Sequence, residues 1–288
     1  DAPRYYRPFL KEWRPDLSIW TEQDIWPGII VATHNRGVPL ALLNARITEE
    51  SYLKRSRFKG LYRAVFNRFT LIAAQDEDSA ERIRRFGSDI AVGTCPSFKL
   101  IAPALSADPQ DLAKLRAALG TRRVWMVGPS HAQDEEVAVE AQRLLLQKDP
   151  DALLLIVPRD PNRSAQLHAH LSAEGLRVGR RTVEVLPATE HQVFIANTFG
   201  EMGLWYRLAS VALIGGSFGP VEGHNPWEAA RLGAAILHGP RVANFSTDYA
   251  RLAAYRARTE VTRAQEIAAA VADIDGLTQR HAHTGHDV

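Results

Sequence analysis

Short apolar runs alternate with amphipathic stretches along the whole chain, and that alternation limits the fold more than any other feature. The runs are residues 17–21, 39–44, 70–74, 124–128, 153–158, 192–195, 211–214 and 234–237. Each is the length of a buried strand. Between them lie helical patterns at 77–86, 109–119, 134–148, 163–174, 200–209, 226–232 and 263–272. Strands that alternate with helices predict an α/β protein with mainly parallel sheets. A chain of 288 residues holds two domains of that kind. The Pro- and Ala-rich stretch 101–108 (IAPALSAD) is the expected linker.

Composition excludes several classes. Hydrophobic residues are 45% and charged residues 24%, ordinary globular usage. One cysteine, Cys95, can form no internal disulfide and no Cys-rich zinc site, so a reducing compartment is expected. No apolar run approaches the roughly 20 residues that span a bilayer, and the opening DAPRYYRPFL is not a signal peptide. The formal net charge of +2 argues little. Residues 51–75, however, contain no acid beside Lys54, Arg55, Arg57, Lys59, Arg63 and Arg68. This is a basic field for phosphates or an anionic membrane. Phe58, Leu61, Tyr62, Val65, Phe66 and Phe69 fall on one helix face, with Lys59, Arg63 and Arg68 off it.

The densest candidate site is 211–228, VALIGGSFGPVEGHNPWE. A strand runs into Gly215, Gly216 and Ser217, and a helix begins near Pro226. Glycines allow close backbone approach, and a helix start offers unpaired N–H donors. Asn225 suits an N-cap and Pro226 the first helical position. The arrangement suits a phosphate at the carboxyl end of a strand. Glu228, on the first turn, can accept hydrogen bonds from a ribose diol or complement the helix dipole.

This segment resembles the nucleotide-sugar motif of the 3-deoxy-D-manno-octulosonic acid (Kdo) transferases, whose pattern is GGS, a variable stretch, GGHNPLE and later GPHTFNF. Here Glu222 replaces one glycine, Trp227 a leucine, and Arg241-Val242 a His-Thr pair. The resemblance continues through EQDIWP at 22–27, Asn44-Ala45-Arg46, LIAAQDEDSA at 71–80, Ser97-Phe98-Lys99, Ser130-His131 with Asp134-Glu135-Glu136, VPRDPN at 157–162 and TFGEMG at 198–203.

The resemblance implies a GT-B-type glycosyltransferase with two Rossmann-like domains, the first incomplete. Residues 1–101 would be the later part of an acceptor-binding domain, 102–274 the CMP-Kdo domain and 275–288 a polar tail. Pro158, Arg159, Phe199, Gly200, Glu201, Asn225, Pro226, Trp227 and Glu228 match positions that contact CMP; Gly215, Gly216 and Ser217 are added as lining the same crevice. Glu22 and Lys99 match positions that stabilise charge at the reacting centre. Asp24 is shorter than the family's second glutamate, which puts its role in doubt. His131 meets the donor or merely turns the chain, and His281, His283 and His286 read as a polar tail.

The implied reaction moves Kdo from CMP-Kdo to a lipid A precursor in lipopolysaccharide synthesis, by inverting direct displacement at the cytoplasmic face of the bacterial inner membrane. No cofactor, metal or nucleic acid is implied. The family's general base lies in a GE motif that this chain does not contain, and its membrane anchor is also missing. Two other readings stay open: a non-catalytic nucleotide-sugar-binding relic, and another GT-B enzyme such as a nucleotide-sugar epimerase.

Overall fold

The computed structural model of the chain describes residues 1–22, 24–87, 89–98 and 102–274. Lys99 and the tail histidines lie outside the described residues. The chain divides into two compact units, Asp1–Ala102 and Pro103–Val288.

Unit 1 is built on a four-stranded parallel sheet in the order β1 (Ser18–Thr21), β2 (Leu40–Ala45), β3 (Leu71–Ala74) and β4 (Val92–Thr94). Its described helices are α1 (Pro3–Trp13), α2 (Pro27–His34), α3 (Glu49–Ser56), α4 (Lys59–Phe66) and α5 (Glu77–Arg85). Polar side chains start two of them. Thr48 Oγ1 accepts from Ser51 N at 3.2 Å, and Asp76 Oδ1 from Ser79 N at 2.7 Å. One sheet face packs Leu40, Leu42, Ile72 and Ala74 against Ile30, Val65, Phe66 and Ile83, all buried. On the opposite face Ile19 is 56% and Leu71 52% exposed. Parallel sheets are normally covered on both sides.

The 58–69 stripe splits in the structure. Val65, Phe66 and Phe69 enter the core, while Phe58 and Leu61 stay exposed. The helix begins only at Lys59 and lasts two turns, so it cannot bury the whole stripe.

Unit 2 holds a seven-stranded parallel sheet with strands β5 (Val124–Ser130), β6 (Leu153–Pro158), β7 (Val178–Arg180), β8 (Val193–Ile195), β9 (Val211–Ile214), β10 (Ala235–His238) and β11 (Thr259–Glu260). The order is β11-β10-β9-β5-β6-β8-β7. Every residue of β6 is buried. Each of its large aliphatic side chains contributes about 1.5–3 kcal/mol by leaving water. The helices are α6 (Pro109–Leu119), α7 (Ala132–Leu146), α8 (Ser164–Ala173), α9 (Arg181–Glu184), α10 (Met202–Leu208), α11 (Trp227–Ala230), α12 (Ser246–Ala254) and α13 (Ala264–Ala272). One buried polar pair ties the sheet to α7: Trp125 Nε1 donates to Gln142 Oε1 at 2.7 Å, and Gln142 Nε2 donates to the carbonyls of Ala152 and Gln192.

From β5 the chain moves to β6 on one side of the sheet. From β9 it moves to β10 and β11 on the other. The carboxyl ends of the neighbouring strands β5 and β9 therefore frame the switch-point crevice where open α/β sheets take ligands.

Candidate functional site

Gly215 closes the floor of this crevice. A Cβ there would lie 1.8 Å from the carbonyl oxygen of Pro129, so only glycine lets the ends of β9 and β5 approach so closely. Gly216 follows with φ +72°, in the left-handed region. The loop carries little side chain of its own, and Asp134 fixes it from the first turn of α7. This buried carboxylate accepts from three backbone N–H groups: His131 at 3.0 Å, Gly216 at 2.7 Å and Phe218 at 3.1 Å. Ser217 is also buried; its hydroxyl donates to Ile214 O and accepts from Gly239 N. The loop N–H groups of Gly216 and Phe218 thus face Asp134.

Around the mouth stand His131, Arg159, His224 and Glu228. Arg159 follows the buried Pro158, and its N–H donates to the Ser130 carbonyl at 3.0 Å, which sets it beside His131. Its side chain is exposed and makes no ion pair among the described residues. His131 and His224 are stacked within 11°, with their Nε2 atoms 2.9 Å apart. Burial, then His131 and Arg159, push His224 down to about 4, against Asp134.

α11 starts at Trp227, one residue later than expected, with Pro226 at the N-cap position. Asn225 Oδ1 accepts from Trp227 N at 3.1 Å, and Asn225 Nδ2 donates to Glu228 Oε1 at 3.3 Å. Burial raises the Glu228 carboxyl, opposed by Asn225, Arg231 and Arg159. Pro226 and Trp227 are buried, and Trp227 Nε1 donates to Asp248 at 2.8 Å. What these two can offer a ligand is main chain.

The loop after β8 supplies the last group. Phe199 is 82% exposed, beside Gly200 at φ +81°. The Glu201 carboxylate is held by Arg181, through Nε at 3.2 Å and a terminal nitrogen at 2.9 Å, and by the Thr198 hydroxyl. Arg181 also reaches Asp111 at 3.0 Å on α6, and is itself buried. Glu201 therefore holds its loop with its side chain.

In unit 1, Glu22 directly follows β1 at φ +56° and Asn44 lies in β2 at φ +52°. Neither is glycine, and such backbones gather at functional sites. The Glu22 carbonyl accepts from Arg46 N at 3.3 Å, and Asn44 Oδ1 from Phe98 N at 3.2 Å. This brings Glu22, Asn44 and Phe98 to the carboxyl ends of adjacent strands, next in sequence to Lys99. At the α3–α4 corner, Leu53, Phe58 and Leu61 are exposed among Lys54, Arg57, Lys59 and Arg63, also exposed. Among the described residues no helix is long and apolar enough to cross a membrane.

Sequence reasoning missed Arg181 and Asp111 entirely and gave His224 and Asp134 no part. Asp134 stood in the quoted Ser130-His131…Asp134-Glu135-Glu136 motif, but nothing there pointed to its hold on the glycine loop. Arg181 had no local signal, since its partners are 20 and 70 residues away.

Residues 1–102 match the family described as 3-Deoxy-D-manno-octulosonic-acid transferase (kdotransferase). The 3-deoxy-D-manno-octulosonic acid transferase of Rickettsia typhi is 32% identical over 253 residues, 86% of this chain. That of Haemophilus influenzae is 29% identical over 254 residues, 85% of this chain. The chain is a relative of the Kdo transferases. It spans 53% and 58% of the lengths of these two relatives. A crystal structure of the C-terminal CMP-Kdo binding domain of WaaA from Acinetobacter baumannii is 28% identical, with TM-score 0.57, over 61% of this chain and 94% of that domain. UDP-GlcNAc 2-epimerase from Neisseria meningitidis, bound to UDP-GlcNAc, is 15% identical with TM-score 0.59 over 96% of this chain and 73% of its own. At that identity the likeness is one of fold: both units are α/β, of the GT-B type.

Proposed function

We propose that this protein transfers Kdo from CMP-Kdo to a hydroxyl of a lipid A precursor, by inverting direct displacement, in lipopolysaccharide core synthesis. The observation that carries this reading is the switch-point crevice of unit 2. It gathers a guanidinium with no ion pair among the described residues, a half-buried carboxylate and an exposed aromatic ring at the carboxyl ends of parallel strands. Those three chemistries suit a phosphate, a ribose diol and a base in turn. Arg159 takes the phosphate by charge-assisted hydrogen bonds, and Glu228 accepts from the ribose hydroxyls. Phe199 stacks on cytosine, while Gly200 and Glu201 offer main-chain N–H groups to the base or ribose. Pro158, Asn225, Pro226 and Trp227 shape the walls, and Gly215, Gly216 and Ser217 the floor. Glu22 and Lys99 stabilise charge at the reacting centre. Residues 102–274 are then the donor domain and 1–101 belong to the acceptor domain.

The apolar and basic α3–α4 corner is given the anionic surface of the inner membrane, on its cytoplasmic face. Phe58 and Leu61 enter the headgroup layer while Lys59 and Arg63 meet phosphates.

Calorimetric titration of the chain with CMP and with UDP tests the donor assignment. Saturable heat with CMP, and much weaker binding of UDP, is the expected result. No heat at millimolar CMP refutes it.

A further inference from the structure

His131 caps α7 at the end of β5, and His224 lies in the loop ahead of α11. With Nε2 atoms 2.9 Å apart, the two rings share a hydrogen. In the neutral pair one ring donates from Nε2 and the other accepts. One further proton turns the pair into a single cation spread over both rings. The charged and titratable groups facing it are Asp134 on the first turn of α7 and Arg159 at the end of β6. Behind it on α12, the Tyr249 hydroxyl donates to the His224 carbonyl at 3.3 Å. Asp134 is committed to backbone N–H groups, whereas Arg159 opposes a second positive charge.

We propose that His131 and His224 form a proton-coupled receptor for an oxyanion of the donor. The proposal rests on the donor reading above. An anion held by Arg159 offsets the positive charge that, after burial and His131, opposes a proton on His224, so the pair draws a proton from solvent as the anion arrives. No covalent bond forms; the proton joins a ring nitrogen and leaves with the ligand. A nucleotide-linked sugar acid carries two oxyanions, the phosphodiester and the sugar carboxylate, and the ligands below separate them.

The test is calorimetry of the full chain near pH 7, in buffers of different ionisation enthalpy, with cytidine, cytidine 5′-methylphosphate and CMP-Kdo. The methyl ester is chosen because a terminal phosphate itself titrates at about pH 6. Uptake of about one proton with the ester assigns the pair to the phosphodiester; uptake with CMP-Kdo alone assigns it to the carboxylate. Cytidine takes up none. For the ligand that shows uptake, affinity rises toward about tenfold per pH unit from pH 8 to pH 6. His224→Gln and His131→Gln abolish the uptake and flatten that rise; if either fails to fold, the wild-type heats decide. Binding of both anionic ligands without proton uptake overturns the proposal and leaves the donor reading standing. If no cytidine ligand binds at any pH, the donor reading falls and takes the proposal with it.

Discussion

Asp134 is the residue whose removal most directly probes how the crevice is built. It is fully buried, and its two oxygens accept from His131, Gly216 and Phe218 at 2.7–3.1 Å. A hydrogen bond to a charged group is worth about 1.5–3 kcal/mol. The three are not additive, since the carboxylate had also to be desolvated and the loop can relax toward water. Asp134→Ala strands three backbone donors, two of them in a loop that the Ser217 hydroxyl also anchors, and should cost about 2–4 kcal/mol. Asp134→Asn keeps one acceptor oxygen but turns an amide N–H toward a backbone N–H, so about 2 kcal/mol is expected. Urea unfolding measures the global loss. Hydrogen exchange at the Gly216 and Phe218 amides measures the local one, and both amides should lose protection. If Asp134→Ala unfolds within about 1 kcal/mol of wild type and leaves those amides protected, the loop is held by something else and the argument fails.

Glu228→Ala should weaken CMP binding by about 1–3 kcal/mol through lost hydrogen bonds to a charged group; unchanged affinity by calorimetry removes the ribose assignment. Gly215→Ala forces a Cβ onto the Pro129 carbonyl, 1.8 Å away, between two backbones; thermal melting should show a loss of about 2–4 kcal/mol, and an unchanged midpoint would mean that the strands are not so closely packed. Burial holds His224 at about 4 and His238 below its ordinary value. The unfolded chain therefore binds more protons as pH falls below about 6.5, and stability should drop from there toward pH 4. The loss is roughly 1 kcal/mol by pH 5, with solvent at the half-buried His224 reducing its share; a flat urea midpoint between pH 7 and 5 would contradict this. Lys59→Glu with Arg63→Glu should abolish flotation on anionic vesicles, and retained binding would remove the membrane assignment.

The strands that could be read from sequence are those with unbroken apolar runs, such as β6 and β9. β4, β7 and β11 have three, three and two residues, too few to show a period. α1 escaped notice because it contains Pro3 and Pro8 and leaves Tyr5, Phe9 and Trp13 exposed. The same difference holds at the site. Arg159 and Glu228 stand next to a strand and a helix whose ends are visible locally. The Arg181–Glu201–Asp111 ion pairs join three separate segments, and no local pattern announces them.

Sequence can count the N–H groups of a glycine loop but not their direction. Gly215, Gly216 and Ser217 look like a phosphate cradle, because glycine admits backbone to a ligand. Two adjacent glycines also have no side chains with which to hold a shape, and close approach to β5 demands one shape. Asp134 supplies it by engaging the Gly216 and Phe218 N–H groups. A carboxylate placed there to order the loop also repels an incoming anion, so the positive charge for a phosphate must come from elsewhere at the same strand ends. On the donor reading, Arg159 supplies a fixed cation at that mouth, and the stacked imidazoles beside it are able to acquire charge. The recognition chemistry of this crevice thus shifts from backbone to side chains, and the glycines serve the strand contact beneath it.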